Sequence, residues 1–453
     1  MVARSSLCQL AGVYPLLVTL FYTFLPSQNP VFLTYSFPLL ESRDVKYLYN
    51  YIIQHSYLRI ILSNPRISFY FKNYLLNLVQ SLGDEIATTF GDFVTDLSSN
   101  EARVLHSLVR WPNLSDQAIH SRINMKKSTF SSIKTRLKEQ NYYDRYYVPN
   151  FPKIGFELFS VFFGKLNRYT TPEERMRISK DLLESFVEDF YIASENNIAF
   201  NLSVSENLTE HEKNLERFFE VYIINNFLSR RGMDTVYYPF ALSNIYSFMD
   251  YETIIAKIFG FQSESYENRM TIPNGPVKKF KLTRAERKVL VGLVEYPEES
   301  DTLIAEKIGV SRNTVANAKR KFLKKEITFP RVVPNLNELG LESLNFSYYK
   351  FSPRIKKDKR DEIAENIRQI MSPHFLITKA LDGVSISAHI NDKHYNEVHD
   401  ELNDYLVKND YLLENVVSYK LDISEINTIK EYDFLPMVIK RLGFDSDKPI
   451  ADQ

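Results

Sequence analysis

The chain has 453 residues, 44% apolar and 25% charged, the balance of a soluble globular protein of about two to four domains. Lys+Arg and Asp+Glu are both 56, so net charge excludes neither nucleic acid nor an acidic partner. The single cysteine, Cys8, excludes a disulfide framework and a cysteine-based zinc site, and 13 glycines argue against Gly-rich phosphate loops.

Residues 7–25 (LCQLAGVYPLLVTLFYTFL) are nearly uncharged, follow Arg4 and are interrupted by Pro15. Residues 1–40 read as a membrane anchor, a signal sequence or a mis-called start, since the next methionine after Met1 is Met125. Residues 41–98 read as ordinary helices, and the remainder as cytoplasmic.

An internal repeat organises the rest of the chain. Shifted by 185 residues, positions 101–165 lie over 286–350 without a gap, and 18 of the 65 pairs are identical. They include Leu105/Leu290, Pro112/Pro297, Ser115/Ser300, Asp116/Asp301, Pro149/Pro334 and Gly155/Gly340. A period this long is a duplicated domain pair and not a solenoid. The predicted domains are 99–150 and 151–261 in copy one, and 282–335 and 336–445 in copy two. A polar linker, 262–281, joins the copies, and 446–453 form a tail.

The first domain of each copy reads as a winged helix-turn-helix. In copy two a helix over 283–295 carries Val289, Leu290 and Leu293 on one face. Ser300 or Asp301 caps a short second helix, Gly309 makes the turn, and Ser311 caps a third helix. On that third helix Val315, Ala318 and Phe322 face inward, while Arg312, Asn313, Asn317, Arg320 and Lys324 face outward. Residues 327–333 are expected to form a two-stranded wing closing at Pro334. Copy one repeats the layout, with Phe130, Ile133 and Leu137 inward and Lys127, Ser128, Ser131 and Thr135 outward.

Residues 311–325 hold six basic side chains, Lys321 among them, and no acid; residues 126–138 hold five and no acid. Lys and Arg neutralise phosphates, and Arg and Asn read base edges, so double-stranded DNA is the expected partner. The competing readings are a solvated helix face or a winged helix that binds protein. The second domain of each copy reads β-α-β-β-α-β, a ferredoxin-like sandwich. In copy two its elements are 344–351, 358–371, 375–380, 384–390, 393–408 and 415–421, with a hairpin around Asp382-Gly383. In copy one they are 158–166, 172–186, 190–194, 199–204, 210–226 and 235–241. Closing helices are predicted at 251–259 and 434–442. The fold class is therefore α+β.

A winged helix-turn-helix followed by a ferredoxin-like domain resembles the leucine-responsive (Lrp/AsnC) class of transcription regulators over residues 100–424. The segment Ile304-Ala-Glu-Lys-Ile-Gly-Val-Ser-Arg-Asn-Thr-Val315 best matches that family's DNA-binding pattern. The resemblance implies a DNA-binding transcription regulator, and its fused copies and Tyr/Phe-rich composition fit an archaeal one. It also implies ferredoxin-like domains that pair, a small-molecule effector and further homo-oligomers. The family's Gly-x-Asp pattern is replaced here by Leu381-Asp382-Gly383-Val384-Ser385.

Siroheme decarboxylases share this architecture and place His and Arg around a tetrapyrrole. No comparable pair stands at either hairpin, where His374 faces Asp189 across the repeat, so a siroheme-decarboxylase-like enzyme is kept as the alternative reading, and no enzyme activity and no cofactor are expected. The run His389, His394, His399 has steps of five, which do not share a helical face, and reads as exposed histidines with no metal. No HExxH or GxSxG is present. Trp111 reads as core.

A four-stranded sheet with helices on one face leaves the other open. Phe159, Val161 and Phe163 line that face in copy one. In copy two Phe346, Tyr348 and Lys350 are set against Leu344, Ser347 and Tyr349. The copies are therefore expected to form an intramolecular pseudo-dimer, and their different recognition faces to favour an asymmetric DNA site.

Overall fold

A computed structural model describes residues 97–263 and 279–453. The readings for residues 1–40, for nearly all of 41–98 and for the middle of the linker lie outside the described residues.

The first half runs α1 (Ser99–Arg110), α2 (Asp116–Arg122), α3 (Lys127–Glu139), β1 (Tyr143–Pro149) and the short α4 (Phe151–Ile154). It continues with β2 (Leu158–Leu166), α5 (Pro172–Ser185), β3 (Asp189–Glu195), β4 (Ile198–Ser205), α6 (Leu208–Ile224), β5 (Leu228–Pro239), β6 (Asn244–Phe248) and α7 (Glu252–Ile258). The second half opens with α8 (Arg284–Glu295), α9 (Asp301–Ile308), α10 (Arg312–Lys324) and β7 (Thr328–Pro334). Then come β8 (Ser343–Lys350), α11 (Lys357–Met371), β9 (Phe375–Thr378), β10 (Asp382–His389), α12 (Asp392–Lys408), β11 (Val417–Asp422), β12 (Asn427–Lys430) and α13 (Leu435–Leu442). The 185-residue shift carries α1, α3 and β1 onto α8, α10 and β7 with the same bounds.

Local chemistry starts and stops these helices. Ser98 with Glu101 and Thr283 with Glu286 form capping boxes at α1 and α8. Ser115 and Ser300 cap α2 and α9. The turn after α9 needs a left-handed residue, and Gly309 supplies it at φ +67. Asn124 takes that place after α2, at φ +49, which Asn tolerates better than most residues. Ser311 caps α10 by accepting from Thr314 N at 3.1 Å, but its counterpart Lys126 leaves α3 without a side-chain cap. Lys126→Ser is therefore expected to stabilise the protein by about 1 kcal/mol. The check is chemical denaturation: an unchanged or lower midpoint would refute this.

Each half builds one antiparallel sheet in which the fourth strand lies beside the first, then the third, then the second: β5-β2-β4-β3 and β11-β8-β10-β9. A fifth strand then crosses over from the other half. β12 pairs antiparallel with β3, and β6 pairs antiparallel with β9. Neither crossing strand is among the elements expected from the sequence.

The wing is the clearest correction. Residues 328–334 form one strand and not a hairpin, and β7 pairs along its full length with β1 of the other half, from Tyr143↔Pro334 to Pro149↔Thr328. Seven residues ending at a proline have no room to turn and return. The hairpin reading shifts slightly too: β10 already contains Asp382-Gly383, and the turn is made by residues 379–381.

Helices cover one face of each sheet, and the two other faces meet. Phe163 and Phe346 lie 4.8 Å apart by ring centroid, Phe200 and Phe346 5.4 Å, and Phe159 and Phe375 5.5 Å. Leu344 shares this central face with Phe346, as strand alternation requires, while Tyr349 turns to the helix side and packs with Leu402 and Leu406. These rings are nearly or fully buried where the halves meet.

Candidate nucleic-acid interface

The third helix of each helical trio carries the interface residues. Val315, Ala318 and Phe322 anchor α10 in the core, and Phe130, Ile133 and Leu137 anchor α3. The opposite sides are open. Arg312, Asn313, Asn317, Arg320 and Lys324 are exposed on α10, as are Lys127, Ser128, Ser131 and Thr135 on α3. Each half thus presents its predicted residues on one helix face. Lys321 differs, being half-buried.

Ion pairs divide the basic residues into two groups. On α10, Lys319 binds Asp301 at 3.2 Å and Lys321 binds the capping Glu286. Burial pushes the Glu286 carboxyl up, but hydrogen bonds from Lys321 and Thr283 outweigh it and hold the group below the usual range. Among the described residues, no acid pairs with Arg312, Arg320, Lys324 or the adjoining Lys325. Arg320 instead donates to Asn317 Oδ1 at 2.5 Å, which lays its guanidinium along the exposed face.

In copy one the acids claim more. Lys134 binds Asp116 at 2.9 Å, and Arg136 binds Glu101 at 2.5 Å. Lys138 reaches Asp144 at 2.6 Å and, across the halves, Glu298 at 3.5 Å. Of the five basic residues, only Lys126 and Lys127 have no acid partner among the described residues. A count of charges along the sequence misses this division. The signal for it is nonetheless present: Glu101/Glu286, Asp116/Asp301 and Lys134/Lys319 are among the identical pairs of the repeat.

The two interfaces are fixed relative to each other. Beyond the β1–β7 ladder, Asn150 donates to Glu326 O at 2.8 Å, and Lys153 pairs with Glu326 at 3.0 Å. Each trio is also clasped by a closing helix. Arg287 of α8 donates to Leu442 O at 2.8 Å, and His106 of α1 pairs with Glu252 of α7 at 3.2 Å.

Trp111 is half-buried, with Arg110 and Arg122 over its ring at 4.9 and 5.1 Å. His389 is fully buried, which corrects its reading as exposed: it faces the helix-covered side of β10 and bonds Ser387 at 2.9 Å. His394 and His399 are half-buried. Burial holds the His389 imidazole down at about 3, with His394 and Lys257 nearby adding to the effect. His374 is buried against Tyr251, ring centroids 4.6 Å apart, and burial brings it likewise to about 3. Asp189, at the matching place in copy one, accepts from Asn201 at 2.7 Å, and burial raises it to about 7. Among the described residues no His, Cys, Asp or Glu group could hold a metal ion, and no helix is long and apolar enough to cross a membrane. A cavity of about 50 Å³ lies between sheet one and α5 and α6, lined by Phe162, Arg175, Leu183, Phe218, Tyr222 and Ile429. It is well below the roughly 150 Å³ that accepts benzene.

The sequence matches no protein-family model and no curated protein. Among solved structures, the chain is similar to the siroheme decarboxylase NirDL, at 9% identity and a TM-score of 0.43. One NirDL crystal structure holds an iron-uroporphyrin III analogue; the match covers 72% of this chain and 92% of that one. In the other the coverage is 76% and 99%. An AsnC family transcriptional regulator from Agrobacterium tumefaciens matches at 14% identity and a TM-score of 0.27, over 31% of this chain and 90% of that chain. A transcriptional regulator from Neisseria meningitidis in complex with L-Met matches at 14% and 0.26, with the same coverage. These likenesses are of fold, extend to a regulator class and to an enzyme alike, and assign neither activity.

Proposed function

We propose that this chain is a DNA-binding regulator in which two winged-helix modules, each followed by a ferredoxin-like domain, form a pseudo-dimer within one polypeptide. The observation that carries the reading is the exposed, acid-free face of α10. Arg312, Asn313, Asn317 and Arg320 offer the side chains that pair bidentately with guanine and adenine edges. Lys324 and Lys325 flank them with charge for phosphates. The helix carrying them is capped, anchored by three buried side chains and closed behind by ion pairs, so the face is held rigidly. The meeting of the two sheets supports the pseudo-dimer, since it covers the apolar face that a single copy would expose.

A salt titration tests the reading. Four uncompensated cations on α10 and its end, with two more at α3, predict that log Kd rises with log salt with a slope of about 5. Fluorescence anisotropy with a duplex oligonucleotide would measure it. Absence of binding at 50–100 mM salt, or a flat dependence, would defeat the proposal and favour protein docking.

A further inference from the structure

The two recognition helices occupy equivalent places but keep different chemistry for a ligand. On α10 the exposed side chains are four planar hydrogen-bonding groups, two Arg and two Asn, followed by Lys324 at the helix end. On α3 they are hydroxyls, Ser128, Thr129, Ser131, Ser132 and Thr135, beside Lys126 and Lys127. Planar amides and guanidiniums make two bonds to one base edge and so discriminate bases. Hydroxyls and lysines bond a phosphate oxygen equally well beside any base pair. The ion pairs sharpen the contrast, because Arg136, the only arginine of the α3 basic run, is tied to Glu101.

We infer that the two modules divide the work on one DNA duplex: α10 reads bases, and α3 grips phosphates without reading sequence. This rests on the proposed DNA-binding function. The β1–β7 ladder, the Asn150 bond and the Lys153–Glu326 pair hold the two helices at one spacing. The bound duplex therefore has a single base-specific segment and, at a fixed offset, a backbone-only segment. Symmetric proteins read symmetric half-sites; this chain has the symmetry of the fold without that of the reading surface.

The test uses the full chain and duplexes selected from a random pool. Single base-pair substitutions are scanned for affinity, and phosphate ethylation is scanned for interference. The expected result is a loss of tenfold or more per substitution within one contiguous segment only. Ethylation should interfere there and also at a second segment where base changes have no effect. Asn317→Ala with Arg320→Ala should erase sequence preference. Lys127→Ala with Ser131→Ala should weaken all duplexes by the same factor, about three- to tenfold, and lower the salt slope by about one. Two equivalent inverted segments that both depend on bases would overturn the division while leaving DNA binding intact. A second segment insensitive to ethylation would overturn it as well. Failure to bind any duplex would instead sink the DNA-binding reading itself.

Discussion

Replacing Arg312 and Arg320 together by alanine is expected to weaken binding to a selected duplex by thirtyfold or more. Each base contact of this type contributes about 1–3 kcal/mol of discrimination, so the pair contributes roughly 2–6 kcal/mol. The effect should fall on recognition and not on folding. Both side chains are exposed, and neither takes part in the pairs that brace the helix, Lys319–Asp301 and Lys321–Glu286. Lys321→Ala is the informative contrast. It removes a brace and leaves Glu286 with only its capping bond from Thr283, so it should lower the melting temperature and leave sequence preference in place. Anisotropy and thermal melts on the same preparations separate the two effects. Unchanged affinity of the double variant would remove α10 from the interface.

The second large effect is acid lability. An unperturbed histidine titrates near 6.5, and buried His374 and His389 are each held down at about 3. Between those values the unfolded chain binds two protons that the native chain refuses, so stability is lost as pH falls. Asp189 acts in the opposite sense. Its carboxyl is raised to about 7 from a usual value near 4, so the native state holds a proton there that the unfolded state lacks, and this contribution is lost as pH rises through 7. Two protons against one leave a net uptake of about one on unfolding, or about 1.4 kcal/mol per pH unit. Because the unfolded histidines are only half protonated at pH 6.5, the loss from pH 6.5 to 4.5 integrates to about 2 kcal/mol. His211 and His399, both lowered by burial, act in the same direction as the other histidines, and Glu431, raised by burial, opposes them. Denaturant titrations across this window measure the slope, and His374→Phe should reduce it by about one proton. A flat profile, or one the variant does not alter, would contradict the account.

The helical trios are legible in the sequence because their signals are local. Caps such as Ser311, the turn at Gly309 and the spacing of Val315, Ala318 and Phe322 act within a few residues of one another. The succession of strands and helices in each sheet domain is legible from alternation and helical periodicity. The crossing strands are not. β6 and β12 are five and four residues long, too short for a periodic signal, and their partners lie in the other half of the chain. The wing misleads for the same reason, since β7 finds its mate in β1 and not in its own neighbourhood. Of the interface, residue types and outward directions can be read from helical periodicity. Which cations remain available is not visible in a count of charges, because it depends on acids one or two helices away; only the identical pairs of the repeat, Asp116/Asp301 with Lys134/Lys319, carry a trace of it.

The crossing strands also bear on the order in which the protein can be made. Everything needed for β2 to β5 leaves the ribosome early, yet the strand that completes their sheet, Asn427–Lys430, is translated after every other strand among the described residues. Until then the outer edge of β3 is a row of backbone donors and acceptors with nothing to pair with, the kind of edge that recruits other nascent chains. Long-range pairings of this sort also form slowly, because the loop between the partners must close first. No cut in the linker yields two halves with complete sheets. A premature stop near residue 425 would therefore injure the half of the protein synthesised first.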